Sequence, residues 1–249
     1  DVIINEQFRH SLKKHALCQA SKFSWDISAQ RAIEAFELFE SENNEKDENA
    51  EEAITALDSI KRINTKIRPT EQDLLRVAEA LDRNIKRVEL YKALSKPLEW
   101  QIDGPFDSSY SLALVNREFA RGLAKKGVEI FLHSTEGPGD FNPSTSFLQK
   151  GNNADLLAWN EKARRQINES VSVQSRNIYP PRVSGLNSKV KLLHCYAWEE
   201  TGYPSEWIHT FNQELDAVLC TSKHVKKVLI DNGLRLPAIV TGNGCDHWE

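Results

Sequence analysis

The chain has 249 residues, 40% hydrophobic and 27% charged, the balance of a globular protein of one or two domains. Its formal net charge of -4 supplies no basic field, so nucleic acid is not an expected partner. No apolar run approaches the roughly 20 residues of a membrane span, and the opening "DVIINEQFRHSLKK" lacks a signal-peptide pattern.

Four scattered cysteines, Cys18, Cys195, Cys220 and Cys245, read as reduced thiols in a cytosolic protein. None stands in the paired spacing of a structural zinc site, so no metal is expected. There is no methionine. That absence reads as an internal segment of a longer chain, or as a sequence that has lost its methionines.

Residues 1 to about 42 read as helical. In "SWDISAQRAIEAFELFE", Trp25, Ala29, Ala32, Ile33, Phe36 and Phe39 recur at helical spacing behind Ser24 as N-cap. The acidic "SENNEKDENAEE" follows as a solvated linker. Two further helices are expected up to Pro97. Ile54, Leu57, Ile60, Ile63 and Ile67 make one stripe, stopped by Pro69. A capping-box-like start at Thr70 and Asp73 opens the other, with Leu74, Val77, Leu81, Ile85, Val88 and Tyr91. An αα-hairpin is the simplest arrangement, and its stripes are packing surfaces or a surface for self-association or a partner protein.

From Leu98 the pattern alternates. "LEWQI", "VEIFLHS", "SVSVQS", "VKLLHCYAW", "DAVLCTS" and "AIVTG" read as strands, with helices around 109–126, 153–167, 204–214 and 222–232. This predicts an α/β fold, a Rossmann-like parallel sheet over 98–249 with helices on both faces and right-handed crossovers. Ligands of such sheets sit beyond the carboxyl ends of the strands, so the loops there are the candidate site.

The loop after the first strand holds Gly104, Pro105, Phe106, Asp107, Ser108 and Ser109. Gly104 suits close approach of a ligand to the backbone, and Asp107, Ser108 or Ser109 suits capping the next helix. This is not G-x-G-x-x-G, and Pro105 has no N–H for a phosphate cradle. A sugar hydroxyl fits better than a dinucleotide. "STEGPGDF" reads as a surface turn. In "RNIYPPRV", prolines hold Tyr179 and Arg182 in an extended path, and Arg182 can grip phosphate or carboxylate. "LLHCYAWEETGYP" sets His194 near a strand end and Trp198, Glu199 and Glu200 in the loop, an aromatic face beside paired carboxylates. Ser222 caps the helix of "TSKHVKKVL".

"GPFDSSYSLALVNREFARGLAKKGVEIFLHSTEGPGDF", "NIYPPRV", "LLHCYAWEETGYP" and "TSKHVKKVLIDNG…NGCDHWE" together resemble the N-terminal half of bacterial family-four, GT-B-fold glycosyltransferases, over about 98–249. They look most like those in multi-domain enzymes that build surface polysaccharides such as lipopolysaccharide. "NGCDHWE" resembles the segment leading into the second Rossmann domain, with Cys245 where Val is usual. "FSWDISAQRAIEAFE" resembles the closing helix of such a module, so 1–42 reads as the tail of one module and 43–97 as an acidic linker and helical hairpin before the next.

The resemblance implies a retaining transfer of a hexose, with mannose as a candidate, from a nucleotide-sugar such as GDP-mannose to a growing glycan acceptor. It implies a cytoplasmic protein, at the inner face of the membrane. The donor would be held by a second Rossmann domain, so this acceptor-side piece is expected to bind no cofactor itself and not to be competent alone. The family's Glu-x7-Glu donor signature is not carried onto Glu37 and Glu45, whose spacing is accidental. The resemblance places Gly104 to Ser109, Tyr179, Arg182 and Trp198 to Glu200 against the substrate. It leaves the catalytic group open among Asp107, His194 and Glu200. The competing expectations are a non-catalytic interaction module that uses the helical hairpin, and another sugar-nucleotide enzyme such as an epimerase; the missing G-x-G-x-x-G argues against NAD use in the latter.

Overall fold

The computed structural model describes residues 6–37, 98–150, 152–165 and 171–246. Backbone contacts divide the chain into two compact units, 1–32 with 98–249, and 33–97. The expected helical hairpin and its stripes lie outside the described residues.

The first unit is built on six parallel strands: β1 (Glu99–Asp103), β2 (Glu129–His133), β5 (Val173–Arg176), β6 (Val190–Tyr196), β7 (Ala217–Cys220) and β8 (Ala238–Val240), in the order β2-β1-β5-β6-β7-β8. This is the expected Rossmann-like α/β architecture. All six strands and the four intervening helices fall where the alternation of apolar runs places them. Those helices are α3 (Ser111–Lys125), α5 (Ala154–Arg165), α6 (Ser205–Glu214) and α7 (Lys223–Asp231). Ser222 Oγ caps α7 by accepting from Val225 N at 3.2 Å.

Earlier in the chain, α1 (Glu6–Ala20) has no buried residue. The helix α2 spans 25–37, and the amide of Asp26 donates to Ser24 Oγ at 3.1 Å, the expected cap. One short hairpin, β3 (Thr135–Glu136) with β4 (Gly139–Asp140), and one short helix, α4 (Thr145–Leu148), complete the described elements. The "STEGPGDF" turn is thus the tip of that hairpin.

Strand β1 is interior, between β2 and β5 and one place from the edge, with Trp100 and Ile102 fully buried. The chain steps from β1 to β2 on one side and then back across to β5 on the other. With right-handed crossovers, that reversal sends α3 to one face and α5, α6 and α7 to the opposite face. Phe119 of α3 meets Trp100 edge-to-face, with centroids 5.8 Å apart. On the other face Lys162 of α5 lies over the ring of Phe131. There Leu193, Val218, Ile208, Phe211, Val225, Val228 and Leu229 form one core beneath α6 and α7.

The α3 face is left with room beside that helix. The start of α2 lies against α3 there: Trp25, Ala29 and Ala32 are buried, and a Cβ on Gly122 of α3 would come within 2.7 Å of the Trp25 carbonyl. Ser28 Oγ donates to Gly242 O at 2.8 Å, and Cys245 N to Phe23 O at 2.9 Å. Residues 23–32 are therefore fastened to the segment after β8. That placement could not be read from periodicity, which gives a helix its buried face but not the surface the face meets.

Candidate functional site

Strand order reverses between β1 and β5, so the crevice of the sheet opens between the loops that follow them. The expected loops after β1, β5 and β6 all leave the same carboxyl edge, because every pairing among these strands is parallel.

The floor of the crevice is a buried charge network. Asp103, at the end of β1, is fully buried and accepts from Gln101 Nε2 at 2.8 Å, Gln174 Nε2 at 2.9 Å and Arg176 Nη2 at 2.9 Å. Arg176 Nη1 turns to the next loop and donates to Arg182 O at 2.8 Å and Ser184 O at 2.9 Å. His133 Nδ1 stands 3.5 Å from Asp103 Oδ1, an ion-pair distance rather than a good hydrogen bond, and its Nε2 lies 3.4 Å from Asp140. Burial raises the pKa of Asp103, but His133 and the charge of Arg176 outweigh it and hold the carboxyl below its usual range. The adjacent Asp103 carboxylate raises His133 above its usual value, against the effect of burial. The sequence shows these residues only as polar positions inside strands; their convergence depends on the register that sets Asp103 beside both His133 and Arg176.

On the α3 face of the sheet a second group joins the two loops. Asn116, fully buried on α3, donates from Nδ2 to Pro105 O at 2.8 Å and to Asn177 O at 3.2 Å. Its Oδ1 then faces His194 Nε2 at 3.0 Å. With the amide nitrogen committed to two carbonyls, His194 must carry its proton on Nε2. Its Nδ1 is buried without a partner, and the ring stacks on Phe119, with centroids 4.8 Å apart. Burial pushes the His194 pKa down to about 3, so the ring is neutral. Gly104 has its reason here too. A Cβ would lie 2.3 Å from Asn116 Nδ2 and 2.8 Å from Asn177 O. The close approach at this glycine comes from inside the protein.

The remaining expected residues divide by exposure. Pro105 and Phe106 are buried. Asp107 is only 8% exposed, and its carboxylate accepts the amide of Ser144 before α4. Neither Asp107 nor the serines cap α3, whose N-cap is Tyr110 with no side-chain hydrogen bond. Asp107 is turned to Ser144, and the helix starts two residues beyond Ser109. Ser108 is half-buried, with its hydroxyl out of solvent and without a hydrogen-bond partner, and Ser109 is exposed. Arg182 Nη2 donates to Thr135 Oγ1 at 2.8 Å and Glu136 O at 3.2 Å, tying the loop after β5 to the β3–β4 hairpin. Tyr179 is 62% exposed. Trp198 is half-buried, while Glu199 and Glu200 are exposed beside it.

Sequence reading missed Asn116, Arg176, His133 and Trp207. Trp207, in the first turn of α6, meets Tyr179 at 6.2 Å and Trp198 at 6.0 Å, both edge-to-face. Its position one turn after "EETGYP" was the available signal.

A bulge in β6 creates this aromatic corner. Register with β7 shifts between Leu193 and Tyr196, and Cys195 adopts a left-handed φ of 48°. Strict alternation would put Tyr196 on the same face as His194. Instead Tyr196 joins Leu193 in the α6–α7 core, where it packs on Tyr203 and Phe211.

A cleft of about 280 Å³ adjoins this network at the end of β2, lined by His133, Ser134, Asp140, Asn142, Asn160 and Arg164 among others. Among the described residues, no cluster of His, Cys, Asp and Glu is placed to hold a metal ion, and no helix is long and apolar enough to cross a membrane. No protein-family model matches the chain, and no curated protein or solved structure matches it significantly, so the assignment that stands on structure is a Rossmann-like α/β fold with a six-stranded parallel sheet.

Proposed function

We propose that this chain forms the acceptor side of a retaining glycosyltransferase that moves a hexose, with mannose as the candidate, from a nucleotide-sugar such as GDP-mannose to a growing surface glycan in the cytoplasm. One observation carries the reading. The loops after β1, β5 and β6 open on one edge of a parallel sheet, at its switch point, and the third of them presents an indole beside two exposed carboxylates. A hexose needs one apolar face and several directional hydrogen bonds, and this group of side chains offers both.

The roles divide by position. Tyr179 and Trp198 supply stacking surface. Glu199 and Glu200 accept from sugar hydroxyls. Asn116 and His194 on one face of the sheet, and Asp103 and Arg176 on the other, hold the loops in place. Of the three candidates for the group acting on the acceptor hydroxyl, Asp107 is engaged by Ser144 and His194 is enclosed and neutral, whereas Glu200 is exposed. Glu200 is therefore the preferred candidate. The donor phosphates would be held by a second Rossmann domain, and their stabilisation as leaving group would come from there.

The test is transfer of mannose from GDP-mannose to a short glycan acceptor by the full-length protein, with and without Glu200→Ala. Loss of a transition-state contact of about 3 kcal/mol lowers the rate roughly a hundredfold. Stability should change by no more than about 0.5 kcal/mol, since the residue is exposed. Wild-type rates in the variant would remove Glu200 from the reaction.

A further inference from the structure

We infer that Tyr179, Trp198 and Trp207 form a stacking platform for a neutral oligosaccharide, binding it independently of any nucleotide. The inference rests on the acceptor-side reading for its location, but its physical content is separate.

Three elements build the platform. Tyr179 comes from the loop after β5, Trp198 from the loop after β6, and Trp207 from the first turn of α6. Trp207 stands between the other two, 6.2 Å from Tyr179 and 6.0 Å from Trp198, with interplanar angles of 88° and 83°. Below them, Tyr203 is buried and tilted against Trp198, with centroids 4.7 Å apart. The cluster stands on the core under α6 and α7, against which Trp198 and Trp207 are packed. Trp198 and Trp207 are thus held by the core, which limits the entropy lost when a ligand stacks on them.

The polar edges of Trp198 and of the tyrosines beneath it are used within the fold. Trp198 Nε1 donates to Gly202 O at 2.8 Å, and the hydroxyls of Tyr196 and Tyr203 bond each other. What the cluster offers outward is ring surface, with Tyr179 the most open at 62% exposure. Glu199, Glu200 and Glu206 are exposed around it, and the run from Trp198 to Trp207 contains no Lys or Arg. Aromatic faces with exposed carboxylates next to them in the chain disfavour phosphate and sulfate by like charge. They suit a ligand with apolar C–H faces and many hydroxyl donors, which describes a neutral pyranose chain. A basic peptide would satisfy the acids too. The position favours the sugar, because the carboxyl edge of an open parallel sheet is where small ligands bind.

The experiment is a titration of the full-length protein, without nucleotide, followed by tryptophan fluorescence and by saturation-transfer NMR. The probes are mannotriose, maltotriose and cellotriose, with an oligolysine peptide as the competing class. A saturable response to at least one trisaccharide is expected, with saturation transfer strongest at ring C–H protons. Tyr179→Ala should weaken it about tenfold or more, a loss of ~1.4 kcal/mol. Because Tyr179 is exposed, its variant should keep the wild-type circular dichroism and melting temperature. Trp207→Phe, which retains an aromatic ring, should bind more weakly than wild type but more tightly than Tyr179→Ala with Trp207→Phe combined. No saturable response to any of the trisaccharides would overturn the proposal, as would saturation by oligolysine alone, or binding unchanged in Tyr179→Ala. Binding without transfer would reject the transferase reading and keep the platform; transfer with no oligosaccharide binding here would do the reverse.

Discussion

Replacing Asn116 by Ala removes three buried hydrogen bonds at once, and the structure says where the damage falls. The side chain donates to Pro105 O and Asn177 O and accepts from His194 Nε2. A buried donor left unpaired costs about 1–3 kcal/mol, and each carbonyl that loses a bond adds roughly 1 kcal/mol. The expected destabilisation is therefore about 3–5 kcal/mol, a large part of the ~5–15 kcal/mol that typically separates folded from unfolded. The affected loops are those after β1 and β5, the two sides of the crevice. Urea unfolding would give the total, and amide hydrogen exchange would locate it. Peptides covering 104–109 and 177–182 should exchange faster in Asn116→Ala, while those in α7 should not. Asn142→Ala is the control: Asn142 is an exposed residue accepting from Arg164 at 2.8 Å, and its loss should cost no more than about 0.5 kcal/mol. Equal, small effects from both variants would refute the idea that Asn116 holds the crevice loops.

Gly104→Ala should lower stability by more than about 1 kcal/mol, because its Cβ has nowhere to go between Asn116 and Asn177 O; an unchanged melting curve would contradict the packing at that point. The pH dependence of stability should have two opposed histidine components. His194 binds its proton at a pH of about 3 when folded, against 6.5 as its ordinary value, so the unfolded state holds more protons between these limits and stability falls as pH drops through that window. His133 is raised, so its contribution is complete below 6.5 and fades as pH rises through its folded value. Urea midpoints from pH 4 to 9 should show both, and His133→Gln should lose only the alkaline part; a His194 ring that titrates by NMR near its ordinary value would refute the assignment.

The sequence by itself determined the layered architecture from Leu98 onward. Short apolar, β-branched runs separated by amphipathic stretches bury themselves in only one common way, as a parallel sheet covered by helices, so strand and helix positions follow from local pattern. The loops of the candidate site were legible for the same reason, since strand ends mark them. Local pattern could not say which side chains those loops use inwardly. Asp107 looks like a cap for the next helix and is spent on Ser144; Gly104 looks open to a ligand and is closed by Asn116. Nor could it place Asp103, His133 and Arg176 together, for they are far apart in the chain and meet only through the register of β2, β1 and β5. The bulge at Cys195 is the clearest case. One residue out of phase moves Tyr196 to the other face of the sheet, and with it the base on which Tyr203, Trp198 and Trp207 stand. Alternation is a property of a regular strand, and the fit of β6 against β7 overrules it there.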